Sequence, residues 1–158
     1  MPIAIKADHI NPFIHSTLDA LETMAFTKAQ IGKPFLKTDE DPRCDISGSI
    51  GLTGEAAGSV TVDFGRELAC QIVSRMLGEP HSEIDATVRD GVGEIANMIA
   101  GGAKGEMQAK NLNFNIALPT VTLGRDLSHS HPPNVTCVVV PFTTDIGSFT
   151  IEVALKTG

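Results

Sequence analysis

The 158-residue sequence has no basic run, no long apolar run and no paired pattern of cysteines, and each lack removes a class of function. Lys and Arg together number 12 against 19 Asp and Glu, a formal net charge of −7, and they are scattered along the chain. Without a basic stretch there is little to grip a phosphate backbone or an anionic lipid surface, so neither nucleic acid nor a membrane is an expected partner. The most apolar stretch, Val135 to Phe142, is interrupted by Thr136 and Pro141. It falls far short of the roughly 20 residues that a bilayer-spanning helix needs. Met1 to Ile10 mixes Lys6, Asp8 and His9 with short apolar pairs and lacks the apolar core of a secretory signal. Cys44, Cys70 and Cys137 are odd in number and far apart, which suggests neither a disulfide framework nor a zinc knuckle. The expectation is a reduced, cytoplasmic protein.

What is present fits one domain spanning residues 1–158. Apolar residues make up 42% of the chain, and the length allows one sizeable core with little room for a second. Asn11-Pro12 predicts a helix start, since Asn caps well and Pro is tolerated at the first helical position. Ile14, Leu18, Leu21 and Ala25 then recur at helical spacing until Gly32 and Pro34. Alternation from Cys44 to Leu52 and from Ser59 to Phe64, around Gly54 to Gly58, predicts a hairpin. Arg66 to Leu77 reads as a helix stopped by Gly78 and Pro80. A longer helix is expected over about Ser82 to Lys110, then strands near Asn115–Leu123, Val135–Phe142 and Ser148–Leu155, with Gly124 to Asn134 as a loop.

The chain also contains an internal repeat, about 11–80 and 82–156. An offset of 74 carries Ile14, Leu18, Leu21 and Ala25 onto Val88, Val92, Ile95 and Ile99. An offset of 89 carries Gly58–Phe64 onto Gly147–Val153, so the second half should hold an insertion of 15 residues between helix and hairpin.

On the long helix, Ile84, Val88, Val92 and Ile99 fall within about 60° of Ile95, a buried stripe. Asp90, Glu94, Asn97, Gly101, Lys104 and Gln108 occupy an arc roughly 80° wide on the opposite side. Glu94 and Asn97 are i, i+3 neighbours, so their side chains stand together. Five glycines in this helix cost roughly 1 kcal/mol each relative to Ala. Gly91 and Gly102 point inward and should serve packing. Gly93, Gly101 and Gly105 point outward and would leave bare backbone for a partner to approach. In the first half the positions of Asp90, Glu94 and Asn97 hold Ser16, Ala20 and Thr23. An acid–amide pair thus occupies one half only.

These residues resemble the CheX/CheC/FliY chemotaxis phosphatases. The family signature, Asp or Ser, three residues, Glu, two residues, Asn and a later Pro, is matched here by Asp90-Gly-Val-Gly-Glu94-Ile-Ala-Asn97 and Pro119. The run on to Gly101-Gly-Ala-Lys104 and the opening Asn11-Pro12-Phe13-Ile14 extend the likeness over nearly the whole chain. Having the pair in the second half alone is similar to the CheX branch, whose members are typically homodimers. The resemblance implies an α+β, CheC-like fold: two layers, in two pseudo-symmetric halves of helix plus antiparallel strands. It implies hydrolysis of the aspartyl phosphate on a CheY-like response-regulator receiver domain, in chemotaxis or a related two-component pathway. Glu94 and Asn97 would be the catalytic residues, with Asn97 orienting the attacking water and Glu94 pairing with the receiver's lysine. No cofactor is expected on this chain; the receiver would bring the Mg²⁺. The alternative is a non-catalytic module that docks receivers or another signalling partner.

Other signals carry less. His129-Ser130-His131 lies in a Pro-rich loop with no Cys or acid at ligand spacing, which favours solvated histidines over a metal site. Gly101 to Gly105 lacks the spacing of a phosphate-binding loop and falls inside a helix. Cys70 sits among apolar helical positions and reads as core.

Overall fold

Two hairpins of alternating residues meet side by side and form the centre of one sheet. In the computed structural model, which describes residues 7–37, 44–127 and 135–156, the first hairpin is β3 (Cys44–Gly54) and β4 (Gly58–Phe64). The second is β7 (Val135–Thr144) and β8 (Gly147–Lys156). β4 pairs antiparallel with β8. Short strands extend the sheet on either side: β1 (Gln30–Ile31) and β2 (Phe35–Leu36) pair with β7, while β5 (Phe114–Ile116) and β6 (Thr120–Leu127) pair with β3. The sheet therefore reads alike from both ends. Its pseudo-two-fold passes between Val62 and Ile151, which face each other and are equivalent under the 89-residue offset.

Helices α1 (Ala7–Ala25), α2 (Arg66–Leu77) and α3 (Ala86–Gln108) cover one face. Beneath them lie Ile46, Ile50, Val60, Val62 and Phe64 from the first hairpin, and Val140, Phe142, Phe149, Ile151 and Val153 from the second. Period-two alternation aims these side chains at the helices. The result is the expected α+β, two-layer arrangement of pseudo-symmetric halves. No described helix is long and apolar enough to cross a membrane.

α2 has the expected bounds, and its C-cap Gly78 takes the left-handed conformation (φ 70°) that glycine adopts without strain. Other expectations are corrected. α1 begins at Ala7, before Asn11, and Pro12 lies inside it. The ring forfeits one backbone bond, which the burial of Ile10 and Phe13 offsets. α3 starts at Ala86, after Ser82 and Ile84, because Asp85 caps it. The strand expected over 115–123 is interrupted at Ala117–Pro119, since Pro119 has no N–H for the ladder, and β6 then runs on to Leu127. β1 and β2, of two residues each, escaped detection. His129 and His131 lie outside the described residues.

The helix-free face carries a buried polar cluster. Lys37 Nζ lies 2.6 Å from Glu152 Oε1. Asp63 accepts from Thr150 Oγ1 at 3.4 Å and from Cys44 Sγ at 3.5 Å. Burial, then the hydrogen bond and charge of Asp63, push the Glu152 carboxyl up to about 8, although Lys37 pulls the other way. Glu152 and Asp63 in effect share a proton beside one ammonium. The ordinary value is 4.5, so folding takes up a proton between that value and about 8. The stability gained this way is complete at low pH and is lost as pH rises through the window. Glu152→Gln should flatten the decline in denaturation midpoint between about pH 5 and 9, checked by thermal unfolding at several pH values.

Candidate functional site

The N-terminus of α3 is tied down before the helix reaches its polar face. Asp85 Oδ1 accepts from the Val88 N–H at 2.9 Å, and this bond, with a smaller contribution from His81, holds the carboxyl below its ordinary range. His81 Nδ1 lies 3.4 Å from Asp85 and Nε2 lies 3.2 Å from Glu79, while its backbone N–H donates to Ser74 Oγ of α2 at 2.7 Å. Along α3, Val88, Val92, Ile95, Ala96 and Ile99 are buried.

On the opposite side Asp90 and Glu94 are exposed and Asn97 is half-buried. All three line one open groove of about 560 Å³. Its second wall comes from Leu118, Pro119 and Val121, at the turn into β6, and Arg89 and Gly93 complete it. The signature proline, 22 residues beyond Asn97 in sequence, therefore shares a groove with the polar pair. Lys104, half-buried, lies beyond the groove on the same arc.

The glycines divide by contact. A Cβ at Gly91 would come within 2.6 Å of Val73, and one at Gly102 would overlap the Ser16 side chain, so both have the inward role expected. Gly101 and Gly105 meet nothing within 4 Å and are open. Gly93 departs from expectation. It is buried, with its Cβ position 3.3 Å from Val121 and 3.8 Å from Pro119, because β6 returns against this side of the helix.

In the first half two of the three matching positions are closed, and Thr23 alone is exposed. Ser16 is buried and donates to the carbonyls of Ile99 (2.7 Å) and Met98 (3.1 Å). Ala20 is buried, and Thr23 spends its hydroxyl on the Asp19 carbonyl of its own helix. The cover over Ser16 comes partly from extra length in α3. Ile99 corresponds to Ala25, where α1 ends, yet α3 continues nine residues to Gln108 and brings Gly102 onto Ser16.

A family model described as Chemotaxis phosphatase CheX matches residues 46–143, which include Glu94, Asn97 and Pro119. The chain belongs to the CheX family. The CheY-P phosphatase CheX of Thermotoga maritima is 29% identical over 119 residues, 75% of this chain and 77% of that protein. A CheC-like superfamily protein from Shewanella sp. PV-4 superposes with a TM-score of 0.90 at 37% identity, covering 96% of this chain and 99% of that one. The CheX of a CheX–CheY–BeF3–Mg²⁺ complex from Borrelia burgdorferi gives 0.80 at 27% identity, covering 96% and 99%.

Of the residues that line the groove of this CheX fold, the sequence pattern points to Asp90, Glu94, Asn97 and Pro119 but not to Arg89, Leu118 and Val121. A signal existed for Leu118: it immediately precedes a proline that the family pattern marks, and such residues have restricted backbones.

The contacts predict opposite signs for two glycine substitutions. Gly101→Ala should raise stability by about 0.5–1 kcal/mol, since a helix gains by losing a glycine where space is free. Gly91→Ala should lower it by about 1–3 kcal/mol through overpacking on Val73. Chemical denaturation of both variants checks this.

Proposed function

We propose that this protein hydrolyses the aspartyl phosphate of a CheY-like receiver domain, with Asn97 and Glu94 as the working pair. The observation that carries the reading is their juxtaposition, i, i+3 on a helix packed against the sheet, at an open groove whose far wall is Pro119. Membership of a family described as chemotaxis phosphatase supports it, as does a relative solved together with CheY.

In this mechanism the receiver brings the phosphoryl group, a lysine and the Mg²⁺. Asn97 enters beside the acyl phosphate, and its amide oxygen accepts a hydrogen bond from a water held in line with the scissile P–O bond. A neutral amide suits the task because it adds no negative charge against the phosphoryl oxygens. Water oxygen bonds to phosphorus, the bond to the aspartyl oxygen breaks, and the products are phosphate and a free carboxylate. Glu94 pairs with the receiver's lysine and fixes the docked geometry. Catalysis is then largely positioning, so no nucleophile on this chain is required. The alternative, a docking module without chemistry, would be favoured by an Asn97 packed beneath a neighbour; instead Asn97 is half-buried and faces the groove.

The reading includes a homodimer, supported by Ile31, Phe35 and Leu36, exposed apolar side chains on the short strands beside β7. Sedimentation should give twice the chain mass; a monomer at high protein concentration would remove the dimer from the reading.

The deciding experiment is phosphate release from phosphorylated receiver domains. Wild type should accelerate it, and Asn97→Ala should abolish about 10²-fold of the rate while still binding the receiver. Glu94→Ala should weaken binding as well as rate. Binding without acceleration on every receiver would sink the enzyme in favour of the docking module.

A further inference from the structure

Leu118 is 88% exposed, the most exposed of the large apolar side chains described. A single exposed leucine ordinarily needs no explanation. This one combines three features. It lines the same groove as Glu94 and Asn97. Its backbone is held on both sides: the Ala117 N–H donates to the Gly51 carbonyl at 3.0 Å, and Thr120 opens β6 in register with Ser49. Pro119 confines the residue before it to extended conformations, and Pro119 itself lies against the Gly93 turn of α3. A side chain with almost no packing of its own is thus displayed on an ordered backbone.

The third feature is its counterpart. Met98, 41% exposed, follows Asn97 on α3. It lies about 100° round the helix from Asn97, on the α1 side, where its carbonyl accepts from Ser16. Gly93, and with it Pro119 and Leu118, lies on the other side. The polar pair therefore sits between two exposed apolar side chains.

We propose that Leu118, with Met98 across the pair, is the apolar anchor that docks the receiver domain and so helps set which receivers are substrates. This rests on the function proposed above, and the occupant is the receiver itself, since any protein presenting an aspartyl phosphate to Asn97 must cover the groove's rim. Charged contacts at such a rim steer and orient but give up much of their gain to desolvation. Apolar anchors beside them supply affinity and keep bulk water from the polar pair. Leu118 touches no reacting atom and acts through placement of the partner.

The test is steady-state phosphate release from the receiver that wild type dephosphorylates. Leu118→Ala should raise KM about tenfold with kcat nearly unchanged. Leu118→Asp should raise it further, and Leu118→Met should restore it. Denaturation midpoints should match wild type in all three, because the side chain is exposed. An unchanged KM in Leu118→Asp, or a fall confined to kcat, would overturn the docking role and leave the phosphatase standing. A wild type inert on every receiver would instead overturn the proposed function, and this proposal with it.

Discussion

The site depends on how closely α3 lies on the sheet. A Cβ at Gly48 of β3 would stand 3.0 Å from the Ala96 methyl and 3.1 Å from the Val92 carbonyl, so the helix backbone passes directly over a strand with no side chain at that point. Gly91 admits Val73 of α2, Gly93 admits Val121 and Pro119, and Gly102 admits Ser16 of α1. Gly48, Gly91 and Gly102 thus leave no free room for a side chain, and Gly93 leaves little. The helical glycines cost roughly 1 kcal/mol each in local propensity, and close packing of buried neighbours offsets that cost. The consequence for function is stiffness. Glu94 and Asn97 project from a helix gripped from several directions and capped by Asp85, so their spacing relative to Pro119 is set before any partner arrives.

The same packing explains why the acid–amide pair has no counterpart in the first half, although the sheet reads alike from both ends. The hairpins obey the pseudo-two-fold closely, down to the facing of Val62 and Ile151. The helices do not. α3 outruns the equivalent end of α1 by nine residues, and its added turns bring Gly102 over Ser16. The extra length that braces α3 closes the corresponding face of α1 at Ser16. Once Ser16 was turned inward onto the carbonyls of Met98 and Ile99, an acidic residue there would have been buried beside acceptors, which is costly.

Much of this was legible in the sequence, and what was not has a common cause. The bounds of α2, the β3–β4 hairpin and the division of α3 into a buried stripe and a polar arc all follow from local periodicity and terminators. Periodicity also finds Glu94 and Asn97 as neighbours. It cannot find the wall opposite them, because Leu118, Pro119 and Val121 reach α3 only through the return of β6, a tertiary event with no local pattern. Gly93 was misjudged for the same reason: a helical wheel places it outward, and only the return of β6 buries it. α1 extends past Asn11-Pro12 because burial of Ile10 and Phe13 outweighs one lost backbone bond, a balance that capping rules do not weigh. The pairing of Glu152 with Asp63 and Lys37 joins residues far apart in the chain, which no local pattern shows.

An open groove whose polar side chains are Arg89, Asp90, Glu94 and Asn97 is sparse for an enzyme that must cleave a phosphoryl bond in a large substrate. The sparseness is reasonable if the other half of the chemistry arrives with the substrate. On the proposed reading the receiver contributes metal, lysine and phosphoryl group together, already arranged around its aspartate. What this chain must add is small: one amide placed to hold a water, one carboxylate to fix the dock, and a rim that excludes the surrounding solvent. A deep pocket would obstruct such an encounter, whereas an exposed helix face with open backbone at Gly101 and Gly105 admits a broad partner surface. Selection on such a site would then act on rigidity and on rim residues such as Leu118 more than on further reactive groups, since the nucleophile is a water and the metal and phosphoryl group arrive with the receiver.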